Sequence, residues 1–300
     1  MNATLQTYVT QVQRLLHDVT FSVWTIAELT DYINEARDDI ALDMHCVRHN
    51  TTGVQLLQGQ EIYSIDGAVC GANVVNGGQG YDPTTALVSF DPAPAGGITA
   101  SAIPIISGGS VVGLQMLQWG QGYTSPPAIT VTGVPPNKMA QVTPICFINT
   151  FQIVNISNIW NNQRYTLSFR GFTLFQAYFR FQPISYTARP GVWTLHPQDL
   201  DVYLQSPPDQ LYMSEWDVLS TTSPLVNLTD VDTQVRPPWN KSVQFRAASI
   251  GLMKKQNFAQ ADYYERKYAE RVPRYILGAA GIRIPNPYNR NFQRKVSRGV

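Results

Sequence analysis

Residues 78–81 read Gly78-Gln79-Gly80-Tyr81, and the same four return 42 residues later as Gly120-Gln121-Gly122-Tyr123. Each copy leads into a short apolar run, Ala86-Leu87-Val88 and Ala128-Ile129-Thr130. Each then reaches an Ala-x-x-x-Pro-Ile segment, residues 100–105 and 140–145. Self-similarity at a fixed period marks a repeated supersecondary unit. Glycine supplies the positive φ of tight turns, and the tyrosine can pack over the exposed turn backbone. The repeat lies in residues 67–148, a stretch rich in Gly, Pro, Ala, Val and Ile whose only charges are Asp82, Asp91 and Lys138. The spacing predicts a small all-β module of two pseudo-repeats. It is not a phosphate loop, because a third Gly, a Lys-Ser/Thr pair and a following helix are missing.

Upstream of the module the period changes. Leu5, Tyr8, Val9, Val12, Leu15, Leu16 and Val19 recur at three- and four-residue spacing, which predicts one amphipathic helix. A second begins at Thr25, with Glu28 completing a capping box and Trp24 placed to staple onto Leu29. Leu29, Ile33, Ala36, Ile40 and Met44 form its apolar stripe, and Glu28, Asp31, Glu35, Asp38, Asp39 and Asp43 an acidic side expected to face solvent. Residues 54–66 read as a hairpin turning at Gly59. Downstream, strands are predicted at 151–159, 165–169, 177–186, 191–195, 201–204 and 211–219, from β-branched and aromatic runs between turn signals. A loop over 221–239 precedes a helix pair, 241–255 and 257–272, which Pro273 closes.

The fold expected is α+β. A core of two N-terminal and two C-terminal helices with an antiparallel β portion comprises 1–66 and 149–273. The β module of 67–148 is inserted in it, and 274–300 is an extended tail.

Composition narrows the function. The 300 residues are 44% hydrophobic, 11% aromatic and only 14% charged, against about 25% charged in an average domain. No run approaches the ~18 apolar residues of a membrane span, and the polar start lacks the pattern of a signal peptide. Cys46, Cys70 and Cys146 form no C-x-x-C pair, which points to a reducing compartment for folding. The net charge of +1 conceals a polarised chain: −9 over residues 1–240 and +10 over 241–300. Residues 274–300 carry six cations and no acid. Arg274, Arg283, Arg290, Arg294, Lys295 and Arg298 interleave there with Tyr275, Ile276, Leu277, Ile282, Ile284, Tyr288 and Phe292. Such an end suits docking onto an acidic or nucleic-acid partner.

Catalytic signals are thin. G-x-S-x-G, H-E-x-x-H and Walker patterns are absent. His45 and His49, four apart with Cys46 between, could open a metal site, but the further ligands are missing and a capping or surface role is the simpler reading. Asp199 with Asp201, or Asp230 with Asp232, are the acids a glycosidase would use. Their turn-rich surroundings predict side chains either hydrated or bound to local backbone amides, and no catalytic role. No catalytic residue, metal or cofactor is expected.

Three segments resemble the head-to-tail adaptor (connector) proteins of short-tailed bacteriophages. They are Trp24-Thr25-Ile26-Ala27-Glu28-Leu29 with Tyr32-Ile33-Asn34-Glu35-Ala36; Arg189-Pro190-Gly191-Val192-Trp193 through Pro207-Pro208-Asp209-Gln210-Leu211-Tyr212; and Tyr263-Tyr264-Glu265-Arg266-Lys267-Tyr268 with the basic tail. Residues 67–148 depart from that family and resemble Gly-Gly-x-Gly-Tyr modules of phage structural proteins. The resemblance implies a twelve-subunit ring in the neck or tail of a virion, assembled in the host cytoplasm without a membrane. It joins the portal protein to a tail nozzle or tube and tail fibres. DNA passes through without sequence-specific binding, which a net-negative body favours. The docking residues implied are Arg274, Tyr275, Ile276, Arg283, Tyr288, Arg290, Phe292, Arg294, Lys295 and Arg298. A peptidoglycan-degrading or glycan-binding tail protein is the alternative, and a DNA-binding protein using the tail a third.

Overall fold

A computed structural model describes residues 2–18, 20–179, 186–196 and 198–272. The chain is mixed α+β. Residues 48–221 form one compact unit, and the described residues on either side, up to 47 and from 222, form the other.

The unit formed by the two chain ends is helical: α1 (Leu5–Leu16), α2 (Ile26–Met44), α4 (Asn240–Lys254) and α5 (Phe258–Ala269). The Thr25–Glu28 capping box forms as the spacing predicts, with both reciprocal bonds present. Leu5, Tyr8, Val9 and Val12 of α1 bury against Leu29, Ile33, Ala36 and Ile40 of α2. Helix α4 packs on α1, α2 and α5. Its buried residues are therefore mostly small (Ser242, Ala247, Ala248, Ser249 and Gly251), and a methyl on Gly251 would already lie 3.3 Å from the Tyr32 ring.

The unit of residues 48–221 is mainly β. One sheet runs β1 (Arg48–Leu56), β14 (Tyr212–Ser220), β9 (Thr150–Trp160), β10 (Gln163–Thr166), all antiparallel. Another runs β11 (Ser168–Phe169), β12 (Val192–Leu195), β13 (Asp201–Leu204), β2 (Ile62–Ser64), with only β11–β12 parallel. The hairpin expected over 54–66 does not form. The nine-residue β1 pairs with the equally long β14, whereas β2 joins β13 in the other sheet. The crossing between them is fixed by Tyr63, whose hydroxyl donates to the Leu57 carbonyl (3.1 Å) and accepts from the Leu57 amide (2.8 Å). The strand expected over 177–186 is also corrected. Helix α3 (Phe172–Tyr178) takes its first residues, with Phe175 buried and stacked on Phe179 one turn on. Residues 180–185 lie outside the described ones.

The repeat module is built by exchange. Its first half supplies β3 (Ala68–Asn76), β4 (Leu87–Phe90) and β5 (Ser101–Ser107), and its second β6 (Ser110–Gln118), β7 (Ile129–Thr132) and β8 (Gln141–Phe147). β3 pairs with β8, β6 with β5, and β4 with β7, so every ladder joins the two halves. The registers match residue for residue: Val69↔Cys146 and Gly71↔Ile145 in one ribbon correspond to Val111↔Ile106 and Gly113↔Ile105 in the other. The bulge falls at the same place, on Cys70 and on Val112. The two tyrosines close the exchange. Tyr81 Oη accepts from the Ala140 amide (2.7 Å) and donates to the Val131 carbonyl (3.1 Å). Tyr123 Oη accepts from the Ala100 amide (3.4 Å) and donates to the Asp91 carbonyl (2.9 Å). Gly120 must be glycine, since a methyl there would sit 2.6 Å from the Tyr123 ring.

The module and the sheets share one core. Trp119 packs against Tyr63 (4.7 Å between ring centres), Trp216 (5.8 Å) and Phe147 (6.3 Å), and donates its indole N–H to the Gln55 carbonyl (2.7 Å). The chain divides into its two compact units at 47/48 and 221/222, and residues of 67–148 share one cluster with residues of both sheets.

Candidate functional site

The ten residues expected to dock, Arg274 to Arg298, lie outside the described residues; their root, α5, does not. Its inner side meets the acids of α2. Arg246 of α4 reaches Asp39 (2.7 Å) and Glu265 (2.6 Å), Tyr268 donates to Asp43 (2.6 Å), and Lys254 lies 3.3 Å from Glu35. Asp38 accepts from the amide (2.9 Å) and hydroxyl (2.6 Å) of Thr222. The acidic side of α2 stays partly open to solvent as expected, with Asp31, Glu35 and Asp43 exposed and none of its six acids buried, while part of it also takes partners from α4 and α5. Glu35, Asp39 and Asp43, four apart, form one row along the helix, and α4 and α5 supply its partners. Part of the opposite charge of the two ends of the chain is consumed there. On its outer side α5 exposes Phe258 and Tyr263, with Lys267 over the Tyr263 ring at 5.6 Å and Arg266 paired to Asp262.

The four candidate aspartates have unlike surroundings. Asp230 accepts the amides of Asn227 (2.8 Å) and Val226 (2.9 Å), which lower its carboxyl below the ordinary value, as the turn context predicts. Asp199 is exposed beside His196 (3.0 Å), and Asp201 belongs to β13. Asp232 is bound to local amides, the second of the two expected surroundings, and adds a buried cation that the turn context does not imply. It is fully buried, holds Arg37 through both oxygens (3.0 and 3.1 Å), and accepts from Tyr8 (3.0 Å) and the amides of Gln234 (3.1 Å) and Val235 (3.0 Å). Arg37 also donates to the Ser223 carbonyl (2.8 Å). Every strong acceptor and donor here is used internally, so the pair fastens the 222–239 loop onto α1 and α2.

Helix α2 ends at Met44, with His45 in the left-handed region as its cap and His49 in β1. The two histidines therefore do not share a helical face. Burial pushes the Cys46 thiol up to about 12, away from the thiolate that ligates metal. Among the described residues no group of three His, Cys, Asp or Glu could hold a metal ion, and no helix is long and apolar enough to cross a membrane.

One concave surface stands out in the β unit. The solvent face of the β1-β14-β9-β10 sheet forms an open concavity of about 480 Å3, lined by Arg48, Asn50, Asn155, Ser157, Arg164, Glu215 and Asp217. It follows from the two-residue alternation of the strands, whose other side buries Trp216 and Ile156. Arg48 pairs with Asp217 and Arg164 with Glu215 (2.7 Å), so its charges cancel. The sequence contained this surface only as alternate polar residues in strands distant along the chain.

The sequence matches no known family and no curated protein.

Proposed function

We propose that this protein is a virion connector. Copies form a ring, twelve by the adaptor resemblance, between the portal and the tail, and DNA passes through the ring. The observation that carries this reading is the body from which the basic segment departs. The cluster of α1, α2, α4 and α5 is built from residues 5–268, and Glu35, Asp39 and Glu265 within it are paired with cations of α4. The acid-free run after Pro273, with six cations among aromatic and aliphatic anchors, is then surplus to that unit and serves a partner. Deleting residues 274–300 leaves a folded protein that no longer co-sediments with portal rings. Undiminished co-sedimentation contradicts the reading.

The polar concavity supports a second reading, glycan binding or peptidoglycan cleavage, because Glu215 and Asp217 lie in it. Both carboxylates have an arginine partner, an arrangement that suits structural pairing better than proton transfer. Clearing of a peptidoglycan suspension that disappears in Glu215→Gln or Asp217→Asn would favour this second reading; the connector reading predicts no clearing.

A further inference from the structure

The ribbons β3–β8 and β6–β5 have the same register and the same bulge, yet only one is covered. On β3–β8, strand β1 lies across the bulge with Gly53 as its point of closest approach. A methyl on Gly71 would sit 2.5 Å from the Gly53 carbonyl oxygen, and a methyl on Gly53 2.8 Å from Cδ1 of Ile145. Cys70, the bulge residue, is 0% exposed and Ile145 6%. On β6–β5 the corresponding residues are Gly113, Val112 and Ile105. A methyl on Gly113 meets only the ribbon's own Ile105, at an ordinary 3.6 Å, while Val112 is 58% exposed and Ile105 47%. Ile103 and Leu117 extend this open face.

What fits such a face is defined by what sits on its twin. Residues 50–56, which cross the covered ribbon, are uncharged, and no charge occurs between Asp91 and Lys138 around the open one. A charged partner would find no counter-ion there. Four half-exposed aliphatic side chains amount to a patch of a few hundred Å2, the class that marks interaction sites. That is below the ~800 Å2 per partner of a stable dimer, so the patch suits one strand and not a second globular copy. We propose that the outer face of β5–β6 seats an extended, uncharged strand of a partner protein, with a glycine opposite Gly113, laid down as β1 lies on β3–β8. This site is independent of the connector reading.

The test uses the full-length protein with labelled methyl groups and a synthetic peptide of residues 50–56. Added peptide shifts the methyl signals of Ile105 and Val112. Gly53→Val in the peptide, or Gly113→Val in the protein, weakens binding by at least about tenfold, because either fills the gap between the two backbones. Val112→Lys, which charges a residue already open to solvent, provides a second variant with the same outcome. The proposal is overturned if saturating peptide shifts no signal on this face, if it shifts Ile145 in place of Ile105, or if Gly113→Val and Val112→Lys bind as well as the parent. Concentration-dependent shifts without peptide would assign the face to a second copy and overturn it equally.

Discussion

The helical unit and the β unit are held by different chemistry. Tyr8, Arg37 and Asp232 in the helical unit are joined by a buried ionic network, and α2 is tied to α4 and α5 by charge. The repeat module of the β unit has almost no charge. It is closed by strand exchange, two tyrosine hydroxyls and the wedge of Trp119. Ionic fastening places a few costly groups that fail when one partner is lost. Exchange spreads the same task over ladders that neither half can make alone.

The sharpest way to break this contrast is to excise the module. Replacing residues 67–148 with Asn-Gly removes Trp119 and Phe147 from between Tyr63 and Trp216. The β unit then loses cooperative unfolding, while the far-ultraviolet helical signal remains. A soluble, cooperatively folded product would mean that the two sheets form a core without the module.

Next in size is Asp232→Ala, which leaves Arg37 buried without its counter-charge and lowers stability by about 3–5 kcal/mol in denaturant titration. The paired replacement Arg37→Met with Asp232→Leu recovers most of that loss if the penalty is the orphaned charge. Equal damage from the pair would locate the cost in packing. In the module, Tyr81→Phe and Tyr123→Phe each remove a hydroxyl that serves two backbone groups and cost about 1–3 kcal/mol apiece. Near-equal values are the signature of the exchange. A loss confined to one of the two would show that the pseudo-symmetry carries no energetic weight.

Acid supplies a finer probe of the helical unit. Burial alone would raise the Asp18 carboxyl, but the amides of Val23, Trp24 and Ser22 and the Ser22 hydroxyl outweigh it and hold it down at about 2. A depressed value means that the bonds stabilise fully above the unfolded carboxylate value of about 3.9. That stabilisation disappears as pH falls toward 2. Asp18→Asn should flatten the pH dependence of stability in this window, and an unchanged slope would contradict the assignment. The smallest effect is at Lys254, half-exposed and 3.3 Å from Glu35. Lys254→Ala should cost no more than about 0.5 kcal/mol.

Local patterns were legible in the sequence. Capping, the helical stripes and most strands follow from spacing alone, as Thr25–Glu28 and β9, β12, β13 and β14 show. Long-range choices were not. Nothing near Leu57 announces that β1 seeks β14 and β2 seeks β13. The strand expected over 177–186 touches only the last two residues of α3, and Phe172 and Phe175, three apart at its start, fall in no expected element. The repeat was read from its Gly-Gln-Gly-Tyr turns, although Gly67-x-Val69-x-Gly71 and Gly109-x-Val111-x-Gly113 carry the same period into the preceding strands. The acids of α2 read as solvent-facing, which the exposed Asp31, Glu35 and Asp43 are, but the cations that pair with Asp39 and Glu35 lie some two hundred residues away in the chain and could not be read.

The connector reading meets its most direct test in the mass of the particles formed when the purified full-length chain is mixed with portal rings and measured by mass photometry. The account predicts a single new species, heavier than the portal by one complete ring of this chain. A chain that stays monomeric and leaves the portal mass unchanged would contradict it.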